Sequence, residues 1–304
     1  MKSKIATQIV GLELANPTML AAGILGYTGL SMKRVIEAGA GAVVTKSMGL
    51  EPRTGYQNPS VVQTECGLLN AMGLPNPGIS HFTEEMVELK KLKVPIIFSI
   101  YGFSAEEFAK VAVAAVGMGA DALELNVSCP HVKKAGAQIG CDPKLLITIV
   151  KKVKKQIKKP IIVKLTPNVT DITEIANAVE KAGADAITAI NTVKGMAIDI
   201  ETGTPILANK FGGLSGPAIK PIAIKCVYDV FSSVNIPIIG CGGITCWQDA
   251  IEFIQAGASA IQIGTAIAFK GLNVFRSVAN GIETYIKKKH FMNIKDLVGL
   301  AHNI

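Results

Sequence analysis

A recurring pattern of helix end, glycine and apolar run constrains the fold of this 304-residue chain more than any other feature. Four apolar runs follow a Gly-Ala pair, and these pairs begin at Gly39, Gly119, Gly183 and Gly257. Three more runs begin with Pro-Ile-Ile, at Pro95, Pro160 and Pro237. Together with residues 18–22 they predict eight strands, because glycine commonly ends a helix and an uninterrupted apolar run suits a strand buried on both faces.

Segments of helical period separate the later strands. They cover residues 105–116, 143–158, 172–181, 218–231 and 247–255. Strands that alternate with helices form a parallel sheet through right-handed crossovers, and eight such units predict closure into a (β/α)8 TIM barrel. We expect one domain over residues 1–304. A doubly wound open sheet is the alternative, and the lack of a dinucleotide-type glycine loop near the start of the sequence disfavours it.

Two connections are too long for simple loops. Residues 51–81 follow the second strand and are rich in Gly, Asn and Pro, and residues 193–217 follow the sixth and contain several glycines. Long insertions at the exit ends of strands are usually functional. The expected fold is therefore a barrel with insertions after strands 2 and 6.

Composition excludes several classes of protein. The chain is 49% hydrophobic, but Gly, Pro, Lys or Asp interrupts each apolar stretch before it could span a bilayer. The start lacks an apolar signal core, so we expect a cytoplasmic protein without a membrane partner. The net charge of +8 comes largely from lysines within residues 151–159, which are typical of a solvated helix face, and without interleaved aromatics they do not indicate nucleic-acid binding. The six cysteines have no paired short spacing, so no metal site is expected.

Polar residues follow the apolar strands, and in a barrel these strand exits converge on one mouth. Lys46 and Lys164 end two apolar runs, which is costly unless an anionic ligand lies between them. Another run ends in Asn126, Ser128 and Cys129. A thiol at that position can act as a base if its pKa is lowered, although a lone cysteine is more often a small buried hydrophobe.

The last two strand exits, Gly242-Gly243 and Gly264-Thr265, are rich in glycine, and a helical segment follows each. Barrels commonly hold a phosphate there, using backbone N–H groups and a short helix N-terminus. A phosphate-bearing cofactor beside a thiol, lysines and amides indicates flavin mononucleotide (FMN), because a nearby cation stabilises the reduced, anionic flavin.

Several motifs in this order resemble the class 1 dihydroorotate dehydrogenases over nearly the whole chain, and most closely the catalytic subunit of the NAD-linked subclass 1B. The motifs are residues 69–78 (LNAMGLPNPG), 126–130 (NVSCP), 163–168 (VKLTPN), 190–192 (INT), 195–199 (GMAID), 212–221 (GGLSGPAIKP), 240–244 (GCGGI) and 263–265 (IGT).

The resemblance implies oxidation of dihydroorotate to orotate in pyrimidine biosynthesis. By similarity, Cys129 takes a proton from carbon 5 while hydride leaves carbon 6 for flavin nitrogen 5. The positions that match flavin-binding residues are Ala22, Lys46, Ser47, Ser99, Asn126, Lys164, Ile190, Gly216, Gly242, Gly243, Gly264 and Thr265. Those that match substrate-binding residues are Lys46, Asn70, Ala71, Met72, Gly73, Leu74, Asn126, Asn191 and Thr192. Residues 132–141 directly follow the base, and we interpret them as a lid.

Subclass 1B barrels work with a second subunit, which carries FAD and a [2Fe–2S] cluster and reaches NAD⁺. The resemblance implies such a partner, in a heterotetramer of two catalytic and two electron-transfer subunits. This sequence has no dinucleotide fingerprint and no cluster-type cysteine spacing, which is consistent with a separate partner.

Two positions depart from the family pattern. His131 stands where an asparagine usually contacts substrate, and Ser99 where an asparagine often contacts the flavin. Cys-Pro-His also occurs in the related dihydropyrimidine dehydrogenase barrel, so reduction of uracil or thymine is the alternative activity. The loop of residues 70–78 argues against it, because this loop suits a ring that carries a carboxylate. A non-catalytic flavin-holding subunit, in which Cys129 is structural, is the third possibility.

Overall fold

Eight parallel strands form a closed barrel in the order in which they occur along the chain. The computed structural model describes residues 3–127 and 139–303. The barrel strands are β1 (Thr18–Leu20), β2 (Ala42–Val44), β3 (Ile96–Ile100), β4 (Ala122–Asn126), β5 (Ile161–Leu165), β6 (Ala186–Ala189), β7 (Ile238–Cys241) and β8 (Ala258–Ile263). Because β6 pairs with both β5 and β7, and β8 pairs with β1, the ring is complete, and the predicted (β/α)8 TIM barrel is confirmed.

At least one helix follows each strand. The helices are α1 (Gly29–Glu37), α2 (Thr83–Lys90), α3 (Ala105–Gly117), α4 (Pro143–Gln156), α5 (Ile172–Lys181), α6 (Lys220–Ser233), α7 (Trp247–Gln255), α8 (Ala266–Lys270) and α9 (Val274–Lys288). Short polar side chains cap several helix starts; Asp142, for example, accepts hydrogen bonds from the N–H groups of Lys144 and Leu145. Each of the four Gly-Ala pairs follows a helix, as the sequence predicts.

Apolar residues pack on both sides of the barrel wall. The outward faces of the strands and the inward faces of the helices share one large core. Inside the barrel a second core contains Met19, Val44, Ile97, Ile162 and Ile239, all almost fully buried. This double burial explains why the strands are continuous apolar runs rather than alternating ones.

The two long insertions lie after β2 and β6, as predicted, and together they build a sheet that the sequence does not reveal. Its four antiparallel strands lie in the order Val193–Gly195, Gly212–Ser215, Gly67–Asn70 and Val61–Thr64. The two insertions meet where Gly213 pairs with Asn70 and Leu214 with Leu69. Residues of this sheet line the barrel mouth.

A hairpin near the N-terminus was also not predicted. Its strands Thr7–Ile9 and Leu12–Leu14 pair antiparallel, and Ile9 and Leu14 pack into the core inside the barrel. This core is formed by residues near the strand starts, so the hairpin closes the end of the barrel opposite the mouth.

The described part of the chain contains no helix that is both long enough and apolar enough to cross a membrane.

Candidate functional site

A cavity of about 380 Å³ opens at the carboxyl ends of the barrel strands. Residues at the exits of seven of the eight strands line it, all but β3, and the inserted sheet contributes a further wall. The volume lies in the range of pockets that hold a cofactor or a small ligand.

Nearly all predicted site residues meet in this cavity. Every predicted flavin position except Ser99 lines it, and so does every predicted substrate position except Gly73. Ser99 is fully buried behind Ser47, and Gly73 lies against Tyr56. Cys129, His131 and residues 132–138 of the expected lid are outside the described residues.

A chain of polar side chains links four strand exits. The hydroxyl oxygens of Ser99 and Ser47 are 2.8 Å apart, and the Asn126 amide donates to the Ser47 hydroxyl at 3.0 Å. Asn191 in turn donates to the Asn126 side-chain oxygen at 3.5 Å. Ser99 therefore supports Ser47 from behind the cavity wall, and the two asparagines stand at defined positions in the wall.

Among the described residues, two buried lysines line the cavity. Lys164, at the end of β5, has 5% of its surface exposed, and Lys46 has 9%. The Lys164 Nζ donates to Gln262 at 3.0 Å and lies 3.8 Å from the Glu124 carboxylate. Burial alone would lower the pKa of Lys164, but Cys241 and Glu124 raise it above the usual lysine value. Burial likewise raises the pKa of the Cys241 thiol, so the carboxylate that faces the lysine is that of Glu124.

The wall formed by the exits of β7 and β8 is built from backbone. Gly242 and Gly243 have φ values of +133° and +80°, which side-chain-bearing residues rarely adopt. A Cβ on Gly243 would lie 2.8 Å from the Lys220 Cβ and 2.9 Å from the Gly216 carbonyl oxygen. After β8, Gly264 and Thr265 lead directly into the short helix α8, where the N–H groups of Ile267 and Ala268 donate to the carbonyls of Gly264 and Thr265.

The loop of residues 70–74 closes the cavity on the side of the first insertion, and hydrogen bonds hold both of its ends. The Asn70 amide donates to the Gly213 carbonyl at 3.1 Å. Asn76, only 2% exposed, donates to the Leu74 carbonyl at 2.9 Å and to the Tyr101 hydroxyl at 2.7 Å. Leu74, whose carbonyl accepts one of these bonds, has a φ of +59°.

The donors in this cavity fit a phosphorylated flavin. The glycine exits of β7 and β8 present backbone to the cavity and could supply N–H groups for a phosphate, the arrangement that barrels use after their last two strands. Lys164 supplies a buried cation suited to a reduced, anionic ring. The residues that could hold the cofactor and those that could hold a substrate thus occupy adjoining walls.

Some residues around the cavity were not identified from the sequence. Gln262 lines it and bonds Lys164, and Ser215 lines it and accepts a hydrogen bond from the Thr265 hydroxyl at 2.7 Å. Glu124 lies beneath Lys164. Glu124 and Gln262 could have been found as polar residues inside otherwise apolar barrel strands, a placement that indicates a buried partner.

Comparison with known proteins gives a consistent result. The sequence profile of the family described as dihydroorotate dehydrogenase matches residues 4–286. The dihydroorotate dehydrogenase B (NAD(+)), catalytic subunit, of Methanocella arvoryzae is 54% identical over 301 residues, which cover 99% of each chain. The subunit of the same name from Pyrococcus furiosus is 53% identical over 300 residues, again 99% of each chain. That from Methanocaldococcus jannaschii is 51% identical over 302 residues, 98% of each chain.

The chain therefore belongs to the dihydroorotate dehydrogenase family and is an oxidoreductase. Within this family it is similar to the NAD⁺-linked B-type catalytic subunits, which confirms the resemblance inferred from the sequence motifs.

Proposed function

We propose that this chain oxidises dihydroorotate to orotate in the synthesis of UMP and that its bound cofactor is FMN. We further propose that residues 1–304 form one barrel domain. One observation carries the proposal: lysines and asparagines from β2, β4, β5 and β6 share a single cavity with the glycine exits of β7 and β8. The names of its relatives support dihydroorotate as the substrate.

FMN, when bound, accepts a hydride from the substrate. The chain's own residues would hold and orient it. Lys164 stabilises negative charge from one side, and the backbone at Gly243 and Gly264 binds the phosphate from the other. Ser47 and Asn126, linked by a 3.0 Å hydrogen bond, fix the wall between them.

The substrate needs donors for its carboxylate and partners for its imide edge. Lys46 and the backbone N–H groups of residues 70–74 can supply the carboxylate donors, since charge-assisted hydrogen bonds are the strong ones. Asn126 and Asn191 each carry an amide that can both donate and accept, which suits the alternating donors and acceptors of the ring. Thr192, whose N–H bonds the Asn191 side chain at 2.8 Å, completes this edge.

The proposed base is Cys129, with residues 132–141 as a lid that excludes water during proton transfer. Cys129 follows Asn126, which lines the cavity, by three residues along the chain. Carbon 5 of the substrate lies next to a carbonyl, which makes its proton acidic enough for a thiolate of ordinary basicity.

We further propose that electrons leave through a partner subunit with FAD and a [2Fe–2S] cluster, in a heterotetramer that reduces NAD⁺. The relatives' names specify a catalytic subunit and NAD⁺, and this sequence has no dinucleotide fingerprint of its own. The cytoplasmic location stays a prediction from the sequence.

Anaerobic titration of the purified protein tests the proposal. We expect a yellow protein whose visible flavin absorbance is bleached by dihydroorotate. Bleaching by dihydrouracil but not by dihydroorotate would favour the dihydropyrimidine dehydrogenase-like activity. A flavin that neither compound reduces, but that a chemical reductant does, would leave the chain as an electron-transfer subunit only.

A further inference from the structure

A fully buried carboxylate lies inside the barrel beneath the candidate site. Glu124 is on β4, two residues before Asn126, and none of its surface is exposed. Its neighbours come from three other strands: Lys164 on β5, Thr188 on β6 and Gln262 on β8. A charge in so dry a place costs several kcal/mol unless it is compensated, so this cluster requires an explanation beyond packing.

The hydrogen bonds of the cluster are unequal. One carboxylate oxygen of Glu124, Oε2, accepts from the Thr188 hydroxyl at 2.9 Å and from the Gln262 amide. The other, Oε1, accepts no hydrogen bond from any described residue, and the Lys164 Nζ lies 3.8 Å from it. The side-chain oxygen of Gln262 accepts from the same ammonium at 3.0 Å. Gln262 therefore orients both the Lys164 ammonium and the Glu124 carboxylate. Hydrogen bonds to Gln262, as well as electrostatic attraction, keep these two groups together.

We propose that Glu124 is the counter-charge that keeps the Lys164 ammonium protonated in the cavity wall, so that a bound flavin always meets a positive charge there. Glu124 is a positioning residue, since it lines no part of the cavity and acts through Lys164. The statement about the flavin rests on the proposed function; the statement about the lysine does not.

The surroundings of Lys164 support a specific role for Glu124. Cys241 faces the lysine from β7, where burial raises the pKa of its thiol, and Lys46 lines the same cavity from β2. Among the described residues, Glu124 is thus the one whose carboxylate lies within 4 Å of the lysine Nζ. A buried lysine without such a partner loses its proton readily, because burial disfavours the charged form.

The consequence is a fixed number of protons taken up when a bound flavin is reduced. With Lys164 already protonated, two-electron reduction of a bound flavin to its anionic form takes up one proton, at the flavin itself. If Lys164 were neutral, the new negative charge would draw a second proton onto its amine. Glu124 thus sets how steeply the flavin potential depends on pH.

Glu124→Gln tests the proposal, since it keeps size and shape and removes the charge. In the oxidised protein as purified, NMR of the ¹⁵N-labelled lysine Nζ groups follows the titration of Lys164, which Lys164→Met identifies. We expect the proton affinity of Lys164 to fall at least about tenfold in the Gln variant. An unchanged titration would overturn the proposal, whether or not the protein holds a flavin.

The flavin potential gives a second measurement, independent of turnover. Wild type should show one proton per two electrons, a slope of about 30 mV per pH unit, because a tenfold change in the equilibrium constant of a two-electron couple is about 30 mV. In Glu124→Gln, the number of protons taken up per two electrons should approach two at pH values above the lowered pKa of Lys164. A slope equal to that of wild type there would contradict the proposed link to the flavin.

Thr188→Val is the matched control. It removes one hydrogen bond from the same carboxylate but leaves its charge, so stability should fall slightly while the proton count stays that of wild type. If Glu124→Gln does not fold, the pair can be examined from the other partner. Lys164→Met leaves a lone buried carboxylate, and Lys164→Met combined with Glu124→Gln should be the more stable of the two. The reverse order would refute the pairing.

Discussion

The two sides of the barrel mouth differ in which part of the chain they present to a ligand. From β2 to β6 the wall consists of side chains, including Lys46, Asn126, Lys164 and Asn191, and we call this part the side-chain wall. From β7 through β8 to β1 glycine, alanine and backbone predominate, beside the side chains of Cys241, Gln262 and Thr265, and we call this part the backbone wall. On the first side, contact with a ligand depends on the ammonium and amide groups of these side chains. On the second side, it depends on the main chain lying close to the ligand. Substitutions on the first side should therefore impair activity or binding by removing a chemical group, and substitutions on the second side should do so by adding atoms that clash.

The largest effect is expected at Cys129, the proposed base. Cys129→Ser should slow anaerobic flavin reduction by dihydroorotate about 10²- to 10⁴-fold at neutral pH, because a hydroxyl is a far weaker base than a thiolate, with partial recovery in alkali. Rapid-mixing absorbance measures it. The exposed Cys66→Ser serves as control and should reduce at the wild-type rate. Equal rates for both variants would remove the thiol from the mechanism.

Lys164→Met should weaken FMN binding about ten- to hundredfold, because it removes charge-assisted hydrogen bonding from a buried wall. Quenching of flavin fluorescence measures the dissociation constant. Lys225→Met removes an exposed lysine on α6 that pairs with Asp229, and we expect it to leave binding unchanged. A dissociation constant for Lys164→Met within twofold of that of Lys225→Met would mean that the side-chain wall contributes little to cofactor binding.

Gly243→Ala tests the backbone wall. The new Cβ would approach the Gly216 carbonyl oxygen to 2.9 Å at a φ of +80°, so we expect a loss of about 1–3 kcal/mol in stability together with weaker FMN binding. Gly203→Ala has a similar φ of +66° but open space around it, and should lose about 1 kcal/mol with unchanged binding. Denaturant unfolding and flavin titration separate the two. Equal binding by both variants would contradict the steric role assigned to this wall.

The smallest effect concerns the support of the backbone wall. Asp249 accepts from Lys220 at 2.8 Å and from the N–H of Thr245 at 2.8 Å, just after the glycine exit of β7. Burial opposes its ionisation, but the Lys220 ammonium and the N–H donors outweigh burial and lower the pKa of Asp249 to about 2. Its ionised form therefore stabilises the fold above pH of about 4, and this contribution disappears as the pH falls toward 2.

Asp249→Asn should accordingly destabilise the protein by about 1 kcal/mol at neutral pH, a value discounted for solvent screening, and the difference from wild type should vanish in acid. Thermal unfolding between pH 7 and pH 2 measures it. Asp229→Asn, on the exposed face of α6, is the control, and its difference from wild type should be small at neutral pH. A constant difference for Asp249→Asn across this pH range would show that the ion pair is not its origin.

The sequence predicts the barrel well, because both signals that define it are local. Gly-Ala after a helix and Pro-Ile-Ile before a strand each lie within a few residues, and α5 and α7 begin and end where the helical period predicts. The sheet over the mouth could not be predicted in this way. It pairs Leu69 with Leu214, and no local pattern encodes a register between segments so far apart.

The candidate site divides along the same line. Strand exits converge in any barrel, so Lys46, Asn126 and Lys164 could be assigned to one cavity from their places in the sequence alone. The sequence alone could not show how far below the mouth a side chain inside the barrel lies. Glu124 and Gln262 belong to apolar strands, and their partnership with Lys164 depends on which side chains point inward at the same height of the barrel.

Equilibrium binding of FMN and of riboflavin to the flavin-free protein tests the central claim most directly, because the two ligands share the ring and differ in the phosphate. If the side-chain wall holds the ring and the backbone wall holds the phosphate, riboflavin should bind at least about a hundredfold more weakly than FMN, and Gly243→Ala should reduce this ratio. Equal affinities for the two flavins would contradict the account.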